Sequence, residues 1–440
     1  MLTGRKDIEQ ALSLKIVRNT ELEAAQALWR SMLAGEATWN VSVDPPASPS
    51  IHIASSICRE VSNNSTFELE ATLDGIAELQ TNFDKAVEQM PEVVNLLAGY
   101  GSLVLKPFVR GSRVLVNIAT PDRFFPLKYN ETGALVSVAF ADTFNTAEDF
   151  YTLVETHTWD EPTSTYTITY KAFHSKQNTD LGKPIAPQSV PEWSHLQDIS
   201  FVNISQPLFV EVCLQDKQAI FAKAVKLIRL ADEQYGRAVW EFEGGELAVD
   251  ASIDSFKRDA NGNPILPKGK ERQFRVHNVA GEFFKMQTFS PELRDTSLFN
   301  GLNEHKRHIE FTCGLAYGTI SDPQNVDRTA TEIRAAKQRF LITIRNVQRI
   351  VEEAYRNLAE SINILGFLYE LYPFTSYELA FVWGDSVLED PDEEYRRRLE
   401  LVDKGILTAA EFRAWYMEED LETAQAALQP QEVRDANSNE

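Results

Sequence analysis

Cysteine is scarce. The 440 residues hold three, Cys58, Cys213 and Cys313, far apart and without a C-x-x-C pairing. That argues against a disulfide framework and a structural zinc site, and fits folding in a reducing cytoplasm. Long apolar runs are missing too. The most apolar stretch, Ile362 to Phe374, is broken by Glu370 and is too short to span a bilayer. The opening segment Met1 to Glu9 is too charged and interrupted for a secretory signal. A soluble intracellular product with no membrane partner is expected. Positive charge is in short supply, with 43 Lys and Arg against 65 Asp and Glu, a net charge of −22 and a pI of about 4.8. Affinity for duplex nucleic acid comes mainly from Lys and Arg on phosphates, so an isolated repressor or polymerase-like clamp is excluded. No G-x-x-x-x-G-K-[ST] phosphate loop occurs, which excludes an ordinary P-loop ATPase.

What is present is an ordinary globular composition, 43% hydrophobic and 25% charged, long enough for two to four domains. Residues 5–34 read as helix, followed by a Pro/Ser-rich loop at 43–50 and a second helical region over 51–98 that Gly99-Tyr-Gly101 ends. Gly99-Tyr-Gly101 is too short for a dinucleotide loop and precedes strands, so it reads as a turn. Short β-rich runs then dominate to about 204, with turns at Asn130–Gly133 and Asp160–Pro162. Helix returns over 215–240 and breaks at Gly244-Gly245. A small insert follows, then a helix over 291–313, a polar loop over 314–328, and one long helix. Thr329 and Glu332 have capping-box spacing at the start of that helix. Its apolar residues Ile333, Phe340, Ile344, Val347, Val351, Ala354, Leu358, Ile362 and Leu365 fall on one stripe, and it spans about 50 Å at 1.5 Å per residue. A β-like piece lies at 377–383. Asp390-Pro391 and Thr408-x-x-Glu411 start helices near the C-terminus, and 429–440, polar and without a stripe, reads as disordered. The class is α+β.

Candidate chemistry is sparse. His305 and His308 stand at i, i+3 beside Glu304, but no third ligand is within sequence reach; a hydrated helix face or subunit contact is expected and no metal. The run Asp390, Asp392, Glu393, Glu394 is explained by helix capping, and Arg396-Arg397-Arg398 can pair with it at i, i+4. The insert is more distinctive. Lys257, Arg258, Lys268, Lys270, Arg272, Arg275 and Lys285 against Asp259, Glu271 and Glu282 leave +4 inside a strongly acidic chain. Two readings stay open: a solvated hairpin with ordinary charges, or a basic surface that touches DNA or an acidic partner. The loop 314–328 carries Tyr317, Thr319, Ser321, Gln324, Asn325 and Arg328. At about fifteen residues it is longer than most connections in compact domains, and such loops are often functional.

Several phrases in order, Ala119-Thr-Pro-Asp-Arg-Phe-Phe-Pro126, Pro207-Leu-Phe209, Ala231-Asp-Glu-Gln-Tyr235, the loop with Thr329-Ala-Thr-Glu332, and Val382-Trp-Gly-Asp-Ser386, make the chain resemble the portal proteins of tailed bacteriophages of the long-tailed siphophage type. The phrases cover most of residues 20–425; each alone is weak, and their order and spacing make the likeness. The resemblance implies a portal fold: an α/β wing (1–214), stem helices (215–240 and 291–313), a small α/β clip (241–290), a tunnel loop (314–328), a long helix returning to the wing (329–385), a helical crown (386–428) and a tail (429–440). It implies a homo-oligomeric ring of about twelve subunits at one capsid vertex of the virion, assembled in the host cytoplasm, through which double-stranded DNA enters during packaging and leaves on ejection. Implied partners are the terminase motor, the head–tail adaptor, and the major capsid and scaffolding proteins. No enzyme activity and no cofactor are implied. The tunnel-loop residues named above would face DNA, and Lys257, Arg258, Lys268, Lys270, Arg272 and Arg275 would form the clip contact with adaptor or DNA. On this reading net acidity suits a wall past which DNA slides; plain solubility explains it equally well. Two other classes remain open: a metal-dependent nucleic-acid-processing enzyme subunit and a cellular coiled-coil scaffold. The drift of the stripe near Leu358–Ile362 weakens the scaffold.

Overall fold

The computed structural model describes residues 5–42, 47–146, 149–177, 180–244, 248–252, 274–277, 287–289, 292–323, 330–384, 391–417 and 419–428. The chain divides into two compact units, Met1–Val382 and Trp383–Glu440.

In the first unit the expected helix over 5–34 is two helices, α1 (Arg5–Leu12) and α2 (Thr20–Ala34). The break has one local cause and one distant one. The Asn19 side chain accepts from Leu22 N at 3.1 Å and so caps α2. The intervening segment runs along the neighbouring sheet, where Val17 N donates to Pro126 O at 2.8 Å. Next come α3 (Thr38–Val41), α4 (Ile53–Thr66), β1 (Glu70–Asp74), α5 (Ala77–Val87) and α6 (Met90–Tyr100). Strand β1 interrupts the helical region read over 51–98. Gly101 closes α6 in the left-handed conformation at φ +74°, where an added Cβ would lie 2.3 Å from Lys217 O.

Strands β2 (Ser102–Arg110), β3 (Arg113–Ala119), β4 (Phe124–Tyr129), β5 (Leu135–Asn145), β6 (Phe150–Asp160), β7 (Thr165–Ser175), β8 (Lys183–Ile185), β9 (Ile199–Phe201) and β10 (Val210–Cys213) form the β-rich body. They make a three-stranded sheet β10-β2-β3 and a six-stranded sheet β4-β5-β6-β7-β8, with β9 also on β7. The turn at Asn130–Gly133 is where the sequence places it, with Asn130 Oδ1 accepting from Thr132 N and Ala134 N. Alternation sets the faces. Val154 packs with Ile8, Leu12 and Ile16 in one core, and its neighbour Leu153 packs with Val190 and Trp193 in another.

Helix α7 (Val225–Gly244) starts ten residues later than the sequence suggests. Residues 215–224 are short 3-10 turns instead, with Asp216 and Lys217 both at positive φ. The insert contains β11 (Ala248–Ser252), β12 (Phe274–His277) and β13 (Gln287–Phe289), with β11 central, parallel to β12 and antiparallel to β13. Helix α8 (Asp295–Cys313) then packs back along α7. Gln234 Nε2 donates to Leu298 O at 3.1 Å, and Arg294 grips Glu241 through two nitrogens at 3.0 and 2.6 Å. Asp232 of α7, 2% exposed, accepts from Trp39 Nε1, Asn40 Nδ2 and Ile51 N at 2.9–3.0 Å and so ties the N-terminal segment to this helix.

Helix α9 (Ala330–Leu368) has 39 residues and is about 58 Å long. The expected capping residue Thr329 lies outside the described residues. The apolar stripe is buried from Phe340 through Ile344, Val347, Val351, Ala354, Leu358, Ile362 and Leu365. It packs inside its own chain, against α4, α5, β2, β3 and β10. Beyond α9, β14 (Glu378–Val382) pairs antiparallel with β1, Glu70 opposite Val382.

The second unit holds α10 (Pro391–Asp403), α11 (Ala409–Met417) and α12 (Leu421–Leu428). The Thr408–Glu411 capping box forms as read, with Thr408 N donating to Glu411 Oε2 at 2.8 Å and Glu411 N to Thr408 Oγ1 at 3.2 Å. Arg398 lies 4.3 Å over the Trp415 ring; the partners expected for the three arginines, Asp392, Glu393 and Glu394, fall among residues whose side chains are not described. The tail at 429–440, expected to be disordered, lies outside the described residues. Among the described residues no helix is long and apolar enough to cross a membrane.

Candidate functional site: the loop between α8 and α9

Helix α8 ends because Gly314 adopts φ +72° and its N–H turns back to Phe311 O. Across it, Thr343 of α9 sits so close that a Cβ on Gly314 would lie 2.7 Å from Thr343 Oγ1. The chain then inserts Leu315, fully buried, and turns again at Gly318, φ +85°.

The organiser of this turn is Glu310, fully buried in the last helical turns of α8. Its Oε1 accepts from Ile320 N at 2.7 Å and Ser321 N at 2.8 Å, and its Oε2 accepts from Ser321 Oγ at 2.9 Å. Two successive backbone N–H groups and a hydroxyl thus enclose one carboxylate, the arrangement by which peptide backbone holds an anion. One turn of the loop further on, Asp322 N donates to Asn303 Oδ1 at 2.8 Å. Helix α9 contributes Arg339, whose guanidinium lies 4.5 Å over the Phe311 ring and 5.8 Å from that of Tyr317.

The expected loop residues divide three ways. Tyr317 and Thr319 are half-buried, with Thr319 Oγ1 donating to Ala316 O at 2.7 Å. Ser321 is 5% exposed and its hydroxyl is committed to Glu310, so in this chain it holds the loop's shape rather than offering a group outward. Gln324, Asn325 and Arg328 lie outside the described residues. In the insert, Lys257, Arg258, Lys268, Lys270 and Arg272 also lie outside them; Arg275 stands on β12, opposite Asp250 of β11. His305 is half-buried and His308 exposed on α8, and among the described residues no three His, Cys, Asp or Glu side chains are grouped to hold a metal ion.

The sequence reading missed Glu310, Asn303, Thr343 and Arg339. A signal for Glu310 existed. It stands three residues before the buried Cys313, one turn from a helix-ending glycine, so a carboxylate occupies the apolar face of α8.

A second polar cluster lies in the sheets. Glu155 accepts from Lys106 Nζ at 2.5 Å, its other oxygen is 2.7 Å from His157 Nε2, and His157 Nδ1 is 2.5 Å from the Tyr166 hydroxyl. Burial alone would push the Glu155 carboxyl up, but Lys106 and then His157 outweigh it and hold it well below the usual carboxylate range. Burial and the Glu155 charge push the Tyr166 hydroxyl well up. Phe209, from the Pro207-Leu-Phe209 phrase, packs its ring against His157, Tyr166 and Phe140. This cluster joins the three-stranded sheet to the six-stranded one, and its polar atoms are spent on each other.

No family model matches the chain, and no curated protein matches it. Among solved structures it is similar to a chain from the virion of a native gene transfer agent (GTA) particle, with a TM-score of 0.41 and 8% identity over 95% of this chain and 99% of that one. It is also similar to a chain from the neck of an empty GTA particle, with a TM-score of 0.40 and 10% identity over 93% of this chain and 97% of that one. At these scores no residue role is carried across, and the functional reading rests on the chain itself.

Proposed function

We propose that the chain is the portal subunit of a tailed phage or phage-like particle. In this reading it forms a ring of about twelve copies at one capsid vertex, gives DNA its passage during packaging and ejection, and serves as the platform for the terminase motor and the head–tail adaptor. The observation that carries the reading is the helix–loop–helix of α8 and α9. A 19-residue helix, a turn braced by a buried carboxylate, and a 39-residue helix that runs into the sheet body stand in the order the sequence phrases imply. The α7–α8 pair carrying a small mixed sheet between its two helices supports the stem-and-clip assignment. The work of such a part is geometric and electrostatic: a braced loop on stiff helices presents polar groups to a moving duplex without reading its sequence, and an acidic wall leaves the phosphates free to slide.

The test is mass photometry of the purified chain followed by negative-stain imaging. Particles near twelve times 49.7 kDa, seen end-on as rings with a central hole, are the expected result. A compact dimer that forms no ring at any concentration, or with scaffolding protein present, would overturn the reading.

A further inference from the structure

We infer that Glu310 is the positioning residue of the loop, and that residues 314–323 move with α8 as one body and do not refold on their own. Glu310 is fully buried, and its two oxygens accept from Ile320 N, Ser321 N and Ser321 Oγ. A buried polar atom left without its hydrogen-bond partner costs the full desolvation of that group. Pulling the loop away would leave a carboxylate unpaired in the interior, a costly state. Asn303 repeats the tie two helical turns earlier through Asp322 N, and the Arg339 guanidinium over Phe311 and Tyr317 closes the α9 side. The ties from Glu310 and Asn303 begin on α8 and end on the loop. A shift of α8 therefore carries Tyr317 and Thr319 with it, while a force on the loop is delivered to the helix.

The consequence for DNA rests on the portal reading above; the mechanical claim does not. The test compares wild type, Glu310→Ala, Glu310→Gln and Ser321→Ala as full chains by hydrogen–deuterium exchange, with the β5–β7 peptides as the internal check on folding. Glu310→Ala is expected to raise exchange over 318–323 about tenfold, leaving β5–β7 unchanged. Glu310→Gln keeps an acceptor oxygen and should restore most of the protection, and Ser321→Ala should give an intermediate rise. If Glu310→Ala does not fold, the Ser321→Ala chain decides, through a rise confined to 318–323. Loop exchange equal to wild type in the folded variants would overturn the inference. Assembled particles carrying Glu310→Ala supply the second arm. Loosened loops with unchanged DNA packaging and retention would sink the DNA-facing role of the loop while leaving Glu310 as its brace.

Discussion

Glu155 shows how a single side chain can carry a pH dependence. Its folded value lies below the ordinary 4.5 because Lys106 and His157 favour the carboxylate over the opposing effect of burial. A depressed carboxyl contributes stability that is fully present above its unfolded value and is lost as pH falls toward the folded one. Glu155→Gln leaves Lys106, 8% exposed, without its counter-charge, and is expected to cost about 3 kcal/mol at pH 7. The gap between wild type and variant in denaturant midpoint should be widest at pH 6–7 and shrink as pH falls below about 4.5. A gap that stays constant down to pH 3 would mean that the Lys106–Glu155 pair contributes nothing to folding. None of this was legible beforehand. Lys106, Glu155, His157 and Tyr166 lie on three strands of two sheets, and alternation places a residue on a face without saying what it meets there.

At the scale of elements, the sequence was most legible where the causes are local. The long helix, its stripe, the Thr408 capping box, the Asn130 turn and the Gly101 stop all follow from residues within a few positions of one another. It was least legible where the cause is distant. Strand β1, Glu-Ala-Thr-Leu-Asp, has little β character of its own and exists through pairing with β14 some three hundred residues later. The gap between α1 and α2 depends on Pro126 of β4, and the late start of α7 on the packing of Gly101 against Lys217. The tunnel-loop expectation was half legible: length and polarity marked the segment, but the brace that shapes it sits on the preceding helix. The junction can be tested at Gly314. Gly314→Ala must place a Cβ at φ +72° and against Thr343 Oγ1, and is expected to cost about 2 kcal/mol, read as a lowered thermal midpoint. Combining it with Thr343→Ala should recover the part due to the clash and not the part due to the backbone. Full recovery by Thr343→Ala would show that the left-handed conformation carries no cost here.

For the whole molecule, the buried stripe of α9 matters most to how an assembly could form. Because Ile344, Val351 and Leu358 are spent inside the chain, contacts between copies must use other surfaces. On the portal reading proposed above, the insert is the place to look for engagement of a partner. Neutralising Lys268, Lys270 and Arg272 together is expected to weaken binding of adaptor or DNA and to flatten its salt dependence, with ring formation unchanged by mass photometry. Unaltered adaptor binding and DNA retention in that variant would return the insert to the alternative reading, a solvated hairpin with ordinary charges.

Helix α9 also sets a ratio of displacements. Its C-terminal half is gripped by the sheet body, and its N-terminal end stands about 58 Å away from Leu368, on the side where the loop is. For a stiff rod of that length, a tilt of about one degree about one end moves the other through about 1 Å. Repacking too small to see around Leu358 or Ile362 becomes an ångström at the far tip. The helix is therefore a rod that joins the sheet body to the loop after α8; on the portal reading proposed above, adjustments in the body would reach the channel along it.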